Sequence, residues 1–241
     1  MTTVFAAFPS YNGITEEEAK RRCAEPALVA KGHGVGVCVI VGEALLDVVR
    51  ASLTTVFMKS KADLVLYMDD DVAIDGESIC KMVELAATYP VISAPCRMRG
   101  DGRYNVHPTS MPDEHGMMVC SWTGLGCVLV TRKVIEKMYA AYPRLWFKRA
   151  TMPEATLVGL FNSVVVDARE FDPNTPDGVG MHLGDDQAFS YRLRAQHIPI
   201  HAYVDAKTDH RGLPGNMRAD MEAVDKAARG AGLVGPGGNP L

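Results

Sequence analysis

The stretch that most constrains this chain is Leu64-Val65-Leu66-Tyr67-Met68-Asp69-Asp70-Asp71, five apolar or aromatic residues followed by three carboxylates. A short apolar run between polar residues predicts a strand buried on both faces, as in a parallel sheet. Three successive aspartates cannot follow it into a core, because burying unpaired carboxylates costs too much. The strand must end there and deliver the acids to its carboxyl edge, where open α/β sheets bind ligands. With extended backbone, Asp69 and Asp71 project to one side and offer two hard oxygens to a divalent cation. A polar turn, or an acidic cap for the next helix, accounts for the same residues without a ligand.

The flanking sequence supplies the rest of such a sheet. Thr2 to Phe8 reads as a strand broken by the turn cluster Pro9-Ser10-Tyr11-Asn12-Gly13. Thr15 and Glu18 have the capping-box spacing, predicting a helix to about Ala30. Val35 to Val41 reads as a strand, Glu43 to Lys59 as a helix, Asp75 to Thr88 as a helix and Pro90 to Ala94 as a strand. This alternation implies a mainly parallel, Rossmann-like sheet with flanking helices. Arg99 to Gly116 reads as a loop or irregular hairpin, and Asp167 to Met181 as a loop long enough to act as a flap. Between and beyond them, strands are expected at Met117–Ser121, Cys127–Val130, Ser163–Val166 and Ile198–Val204. Helices are expected at Arg132–Ala141, Asp185–Gln196 and Met217–Arg229. We expect one domain over residues 1–229, with halves 1–96 and 97–229, and a disordered Gly/Pro-rich tail over 230–241.

The 241 residues suffice for one large core, and a net charge of −4 does not by itself point to a polyanionic partner. No apolar run approaches a membrane span and no signal segment opens the chain, so a cytoplasmic protein is expected. Cys23, Cys38, Cys80, Cys96, Cys120 and Cys127 include no C-x-x-C pair, which argues for reduced core thiols and against zinc.

Four pieces carry chemistry, in order. They are Pro9-Ser10-Tyr11, where a base could stack on Tyr11; Arg50 ahead of Asp69-Asp70-Asp71; Trp122-Thr123-Gly124-Leu125-Gly126; and Gly184-Asp185-Asp186-Gln187-Ala188-Phe189, followed by Asp209-His210-Arg211-Gly212. Their order and spacing resemble the GT-A-fold nucleotide-sugar glycosyltransferases, particularly the small, soluble, inverting enzymes, over nearly all of Thr3 to Gly212. Two positions depart from that pattern: Ala51 stands where Asn is usual, and Asp185 where Glu is commoner.

The resemblance implies transfer of a hexose from a nucleoside diphosphate, UDP first, to a hydroxyl acceptor. Pro9, Ser10, Tyr11, Arg50, Asp69, Asp70, Trp122, Thr123 and Gly124 would bind the nucleotide sugar. Asp71 would be the main metal ligand, with Asp69 contacting ribose or metal and His210 as third ligand. A His ligand tilts the ion from Mg2+ toward Mn2+. The attacking hydroxyl must lose a proton, and Asp186 is the candidate base, with Asp185 binding acceptor or orienting Asp186. Two acids at a helix start also serve as cap and dipole partners. A sugar nucleotidyltransferase would need a Gly-rich basic loop, which Pro9 to Thr15 lacks, and a non-catalytic nucleotide-sugar-binding protein would need no base. A saccharide or small molecule is the first expectation for the acceptor. Arg132, Lys133, Lys137, Arg144, Lys148 and Arg149, interleaved with Tyr139, Tyr142, Trp146 and Phe147, raise the alternative of a nucleic acid with hydroxymethylated bases.

Overall fold

A computed structural model describes residues 1–98, 100, 102–150 and 152–230; the tail expected to be disordered lies, from 231 on, outside the described residues. The chain opens with β1 (Thr3–Ser10), and the Thr15 hydroxyl then caps α1 (Glu16–Arg22) by accepting the Glu18 N–H at 3.1 Å. The single helix expected to Ala30 is two helices. Ala24 turns left-handed at φ 50° and α2 (Glu25–Ala30) begins with Pro26 in its first turn. Pro26 has no N–H, and its ring would collide with the carbonyl four residues back, so one continuous helix cannot pass through it. β2 (Gly34–Val41), α3 (Leu46–Lys59), β3 (Leu64–Met68), β4 (Val72–Ile74) and α4 (Gly76–Leu85) follow. Asp75 caps α4, accepting the Glu77 and Ser78 N–H groups at 2.9 Å each. Next come β5 (Val91–Ser93), β6 (Val106–Pro108), β7 (Met117–Thr123), β8 (Cys127–Thr131) and α5 (Arg132–Ala141). Two hairpins, β9 (Trp146–Arg149) with β10 (Met152–Val158) and β11 (Val164–Asp167) with β12 (Gly180–Leu183), precede α6 (Asp185–Ala195). β13 (Ile200–Tyr203), β14 (Lys207–His210), β15 (Leu213–Asn216) and α7 (Met217–Gly230) close the chain.

The main sheet has the order β2-β1-β3-β8-β5-β13-β7-β6. β1 is parallel to β2 and β3, and β13 to β5, whereas β8 is antiparallel to β3 and β5, and β7 to β13 and β6. Followed across the sheet, these pairings leave β7 and β8 running against all the others. The sheet is therefore mainly parallel in direction, within a mixed α/β fold. β3 lies third in it with every residue buried, and its side chains alternate between two cores. Val65 and Tyr67 pack with α3, α5 and α6 through Leu53, Ile135 and Phe189. Leu64, Leu66 and Met68 pack with α1, α2 and α4 through Ala19, Leu28 and Ile79. Each such apolar side chain stabilises the fold by about 1.5–3 kcal/mol relative to exposure. β3 thus becomes a rigid mount for the acids at its end.

All six cysteines are free, and burial pushes the Cys23 thiol to about 11 and those of Cys96 and Cys120 to about 12. Only the thiolate alkylates readily. We expect a brief iodoacetamide pulse on the folded protein to leave Cys23, Cys96, Cys120 and Cys127 unlabelled by mass spectrometry, and denaturation to expose all four. Labelling of Cys96 or Cys127 before unfolding contradicts the packing described.

Candidate active site

At the end of β3 the Asp69 N–H donates to the Gly126 carbonyl at 3.0 Å, and the Val72 N–H donates back to the Asp69 carbonyl at 3.1 Å. The backbone therefore turns over Asp69–Val72 instead of continuing extended. This corrects the premise of an extended backbone through the acids, and the turn hands each acid a different partner. Asp69 accepts from Arg50 Nη2 at 2.8 Å, Asp70 accepts from the Ser10 hydroxyl at 2.5 Å, and Asp71 lies 3.0 Å from Arg211 Nε and 3.4 Å from His210 Nε2. Burial pushes the Asp69 carboxyl above its ordinary value, against the opposing pull of Arg50.

Arg50 is the hinge of the site. It rises from α3 with 3% of its side chain exposed, and its Nη1 donates to Asp185 at the start of α6. One buried guanidinium thus ties the end of β3 to the Gly-Asp-Asp helix start. Asp186, next in line, accepts the Gln187 N–H at 2.7 Å and has no cationic partner among the described residues. Phe189 anchors the helix in the core, stacked on Phe161 at 4.7 Å between centroids.

His210 reaches Asp71 through a small sheet that the sequence did not reveal, β15-β14-β4, in which His210 pairs with Val72. Its Nδ1 lies 2.6 Å from the Arg97 carbonyl, which can only accept, so Nδ1 carries the proton. In the neutral ring Nε2 then turns a lone pair toward a carboxylate oxygen. The same oxygen also lies 3.0 Å from Arg211 Nε, and a cation seated between it and Nε2 would take a lone pair from each. The donor chemistry therefore fits a divalent ion. Among the described residues no third His, Cys, Asp or Glu joins this pair, and Asp69 is held by Arg50 instead.

Pro9, Ser10 and Tyr11 line a concavity of about 430 Å³ together with Asp69, Asp70 and Asp71. Glu43, Ala44 and Leu46 complete it, and sequence reasoning missed them. The signal was available, since β2 is parallel to β1 and the residues after both strands must emerge side by side. Glu43 also accepts from Arg149, which fastens the β9–β10 hairpin to the rim.

Thr123 and Gly124 do not face this space. Thr123 is fully buried, its hydroxyl donating to Ser93 Oγ at 2.6 Å and its N–H to Ser190 Oγ at 3.2 Å, so it fastens β7 to β5 and α6. A Cβ at Gly124 would come within 2.6 Å of the Asn105 side-chain nitrogen, so close packing of Asn105 explains this glycine. Trp122 is half-buried and stacks on His107, with ring planes 10° apart.

The basic stretch disperses on folding. Arg132 donates to the Phe57, Ser60 and Ala62 carbonyls, closing the end of α3, and Lys137 donates to the Gln196 carbonyl. Because β8 is antiparallel to β3, with Thr131 opposite Leu64, α5 starts at the sheet edge opposite the acids. Lys133 lies on the first turn there and cannot form part of a patch beside Asp186. Arg99, the first residue of the loop expected to Gly116, lies outside the described residues.

No helix among the described residues is long and apolar enough to cross a membrane. No protein-family model matches the chain, and no curated protein does. Among solved structures, A197 from STIV matches 87% of this chain and 85% of its own, at 18% identity and a TM-score of 0.50. A Drosophila beta-1,4-galactosyltransferase 7 variant, crystallised with manganese, UDP-Gal and xylobiose, matches 92% of this chain and 74% of its own, at 15% identity and a TM-score of 0.45. A glycosyltransferase involved in glycosylation of the major capsid of PBCV-1 matches 59% and 66%, at 10% identity and a TM-score of 0.33. At such identities the likeness to A197 extends to the fold alone: the same mixed α/β layering recurs over most of both chains.

Proposed function

We propose that the protein is a metal-dependent glycosyltransferase that moves a hexose from a nucleoside diphosphate, UDP first, to an acceptor hydroxyl with inversion. The observation that carries this reading is the pairing of Asp71 with His210 Nε2 at the carboxyl edge of β3, beside the concavity of Pro9–Tyr11 and Glu43. In this reading Tyr11, 65% exposed, stacks the base, and Ser10 and Asp70 hold the ribose hydroxyls. Asp71 and His210 would hold Mn2+ (or Mg2+), which would supply positive charge against the diphosphate. Arg50 keeps Asp69 and Asp185 in place between the end of β3 and the start of α6.

The acceptor oxygen attacks the anomeric carbon while the bond to the diphosphate breaks and its electron pair leaves with the phosphate oxygen. The hydroxyl proton passes to Asp186. Of the two acids that open α6, Asp185 is already committed to Arg50, which leaves Asp186 the better base. The test is a screen of UDP- and GDP-sugars for hydrolysis with manganese present. At least one should be cleaved, and Asp186→Asn should lower turnover by about 10²–10⁴-fold with donor affinity unchanged. If no sugar nucleotide is cleaved, the reading fails; near-normal turnover in Asp186→Asn removes the base assignment.

A further inference from the structure

A second cavity, about 390 Å³, opens between α6, β7 and the β11–β12 hairpin. Its floor is one face of α6, where Gln187, Tyr191 and Arg194 follow each other at helical spacing. Trp122 forms one wall, and Glu170 with Phe171 reach in from the hairpin connection. At 1.5 Å per residue, Gln187 to Arg194 span roughly 10 Å, longer than one pyranose ring. Gln187, at one end of this row, follows Asp186 on the same helix.

Its chemistry is specific. Phe171 is 43% exposed, and Trp122, with one face on His107, and Tyr191 are half-buried, so aromatic surface remains available where a core would have closed over it. Glu170 and Arg194 oppose each other in sign, so the trough carries no net charge toward a ligand. Burial and the neighbouring Glu170 hold the Tyr191 phenol above its ordinary pKa, and its hydroxyl donates to Glu170, which ties the hairpin connection to α6. Apolar faces with a few convergent hydrogen-bonding groups are the makings of a small-ligand site. Flat aromatic walls beside neutral polar groups suit sugar rings, which have apolar faces and hydroxyl rims.

We propose that this trough binds the second ring of a neutral oligosaccharide acceptor, so that the chain glycosylates a saccharide of at least two residues. The inference rests on the glycosyl-transfer reading and deepens it. Trp122 stacks on the ring nearer the reaction, Phe171 closes over the next, and Glu170, Gln187 and Arg194 read its hydroxyls.

The chain has two tryptophans, and Trp146 sits on the other hairpin against Tyr139, so Trp146→Phe leaves Trp122 as the reporter. That variant would be titrated with cellobiose, lactose, maltose and chitobiose, and with their constituent monosaccharides. The fluorescence titration would be run with and without UDP and manganese, and UDP binding followed separately by calorimetry. At least one disaccharide should shift Trp122 emission and bind about tenfold more tightly than its monosaccharides, and Phe171→Ala or Arg194→Ala should erase that preference. Protein that binds UDP but answers no disaccharide, or keeps its preference in both variants, overturns the trough assignment alone. Disaccharide binding in protein that cleaves no sugar nucleotide supports the trough as a saccharide site and sinks the transfer reading instead.

Discussion

Asp71→Ala should abolish nucleotide-sugar cleavage and leave the fold standing. Its carboxylate faces His210 Nε2 and Arg211 Nε at the edge of the sheet, with 19% of its side chain exposed. Contacts of this partly solvated kind contribute about 1 kcal/mol or less to stability, so the melting temperature should fall by only a few degrees. The loss in rate has a different scale. A cation against a departing diphosphate is worth several kcal/mol, and each 1.36 kcal/mol is tenfold, so cleavage should fall by roughly 10³-fold or more. Chelation of the wild-type protein should have the same effect, and adding chelator to Asp71→Ala should change nothing further. Full-rate cleavage in chelator, or an active Asp71→Ala, would sink the metal role given to Asp71 and His210.

What could be read beforehand follows from which forces are local. The run Leu64–Met68 ending in three acids fixes a buried strand and its edge by composition alone, and the alternation of strands and helices up to Ser93 fixes most of the layering. The break at Pro26 was also legible, because a proline 11 residues past an N-cap has to interrupt the helix. β4 and β14 were not, since strands of three and four residues have no period to detect and form through pairing with each other and with β15. That pairing is what carries His210 to Asp71, a neighbour that no local pattern in the sequence could place. Thr123 and Gly124 show the opposite error. A polar residue and a glycine beside a tryptophan suggest a binding loop, yet one is spent on Ser93 and Ser190 and the other on making room for Asn105. Composition also exposed the basic stretch after Thr131 but could not orient it. Only the antiparallel run of β8 sends the start of α5 to the far edge.

Removing the charge of Arg50 should cost more stability than any other single change at the site, because two carboxylates depend on it. With Arg50→Met the side-chain volume is roughly kept, so the core around α3 should survive; what is lost is the only cation bonded to both Asp69 and Asp185 among the described residues. Breaking a buried pair by removing one partner costs about 3–5 kcal/mol. Here the guanidinium is 3% exposed but the carboxylates are 34% and 27% exposed, so water can reach them and the lower end of that range applies. Cleavage should fall as well, since Asp185 and Asp69 are then free to swing across the sugar site. A double-mutant cycle separates charge from packing. Asp185→Asn in the Arg50→Met background relieves one of the two stranded charges, so the double variant should be more stable in urea unfolding than Arg50→Met alone. If Arg50 acted only by filling space, Asp185→Asn would add its own loss to that of Arg50→Met, and additive losses would remove Arg50 as the tie between the two halves of the site.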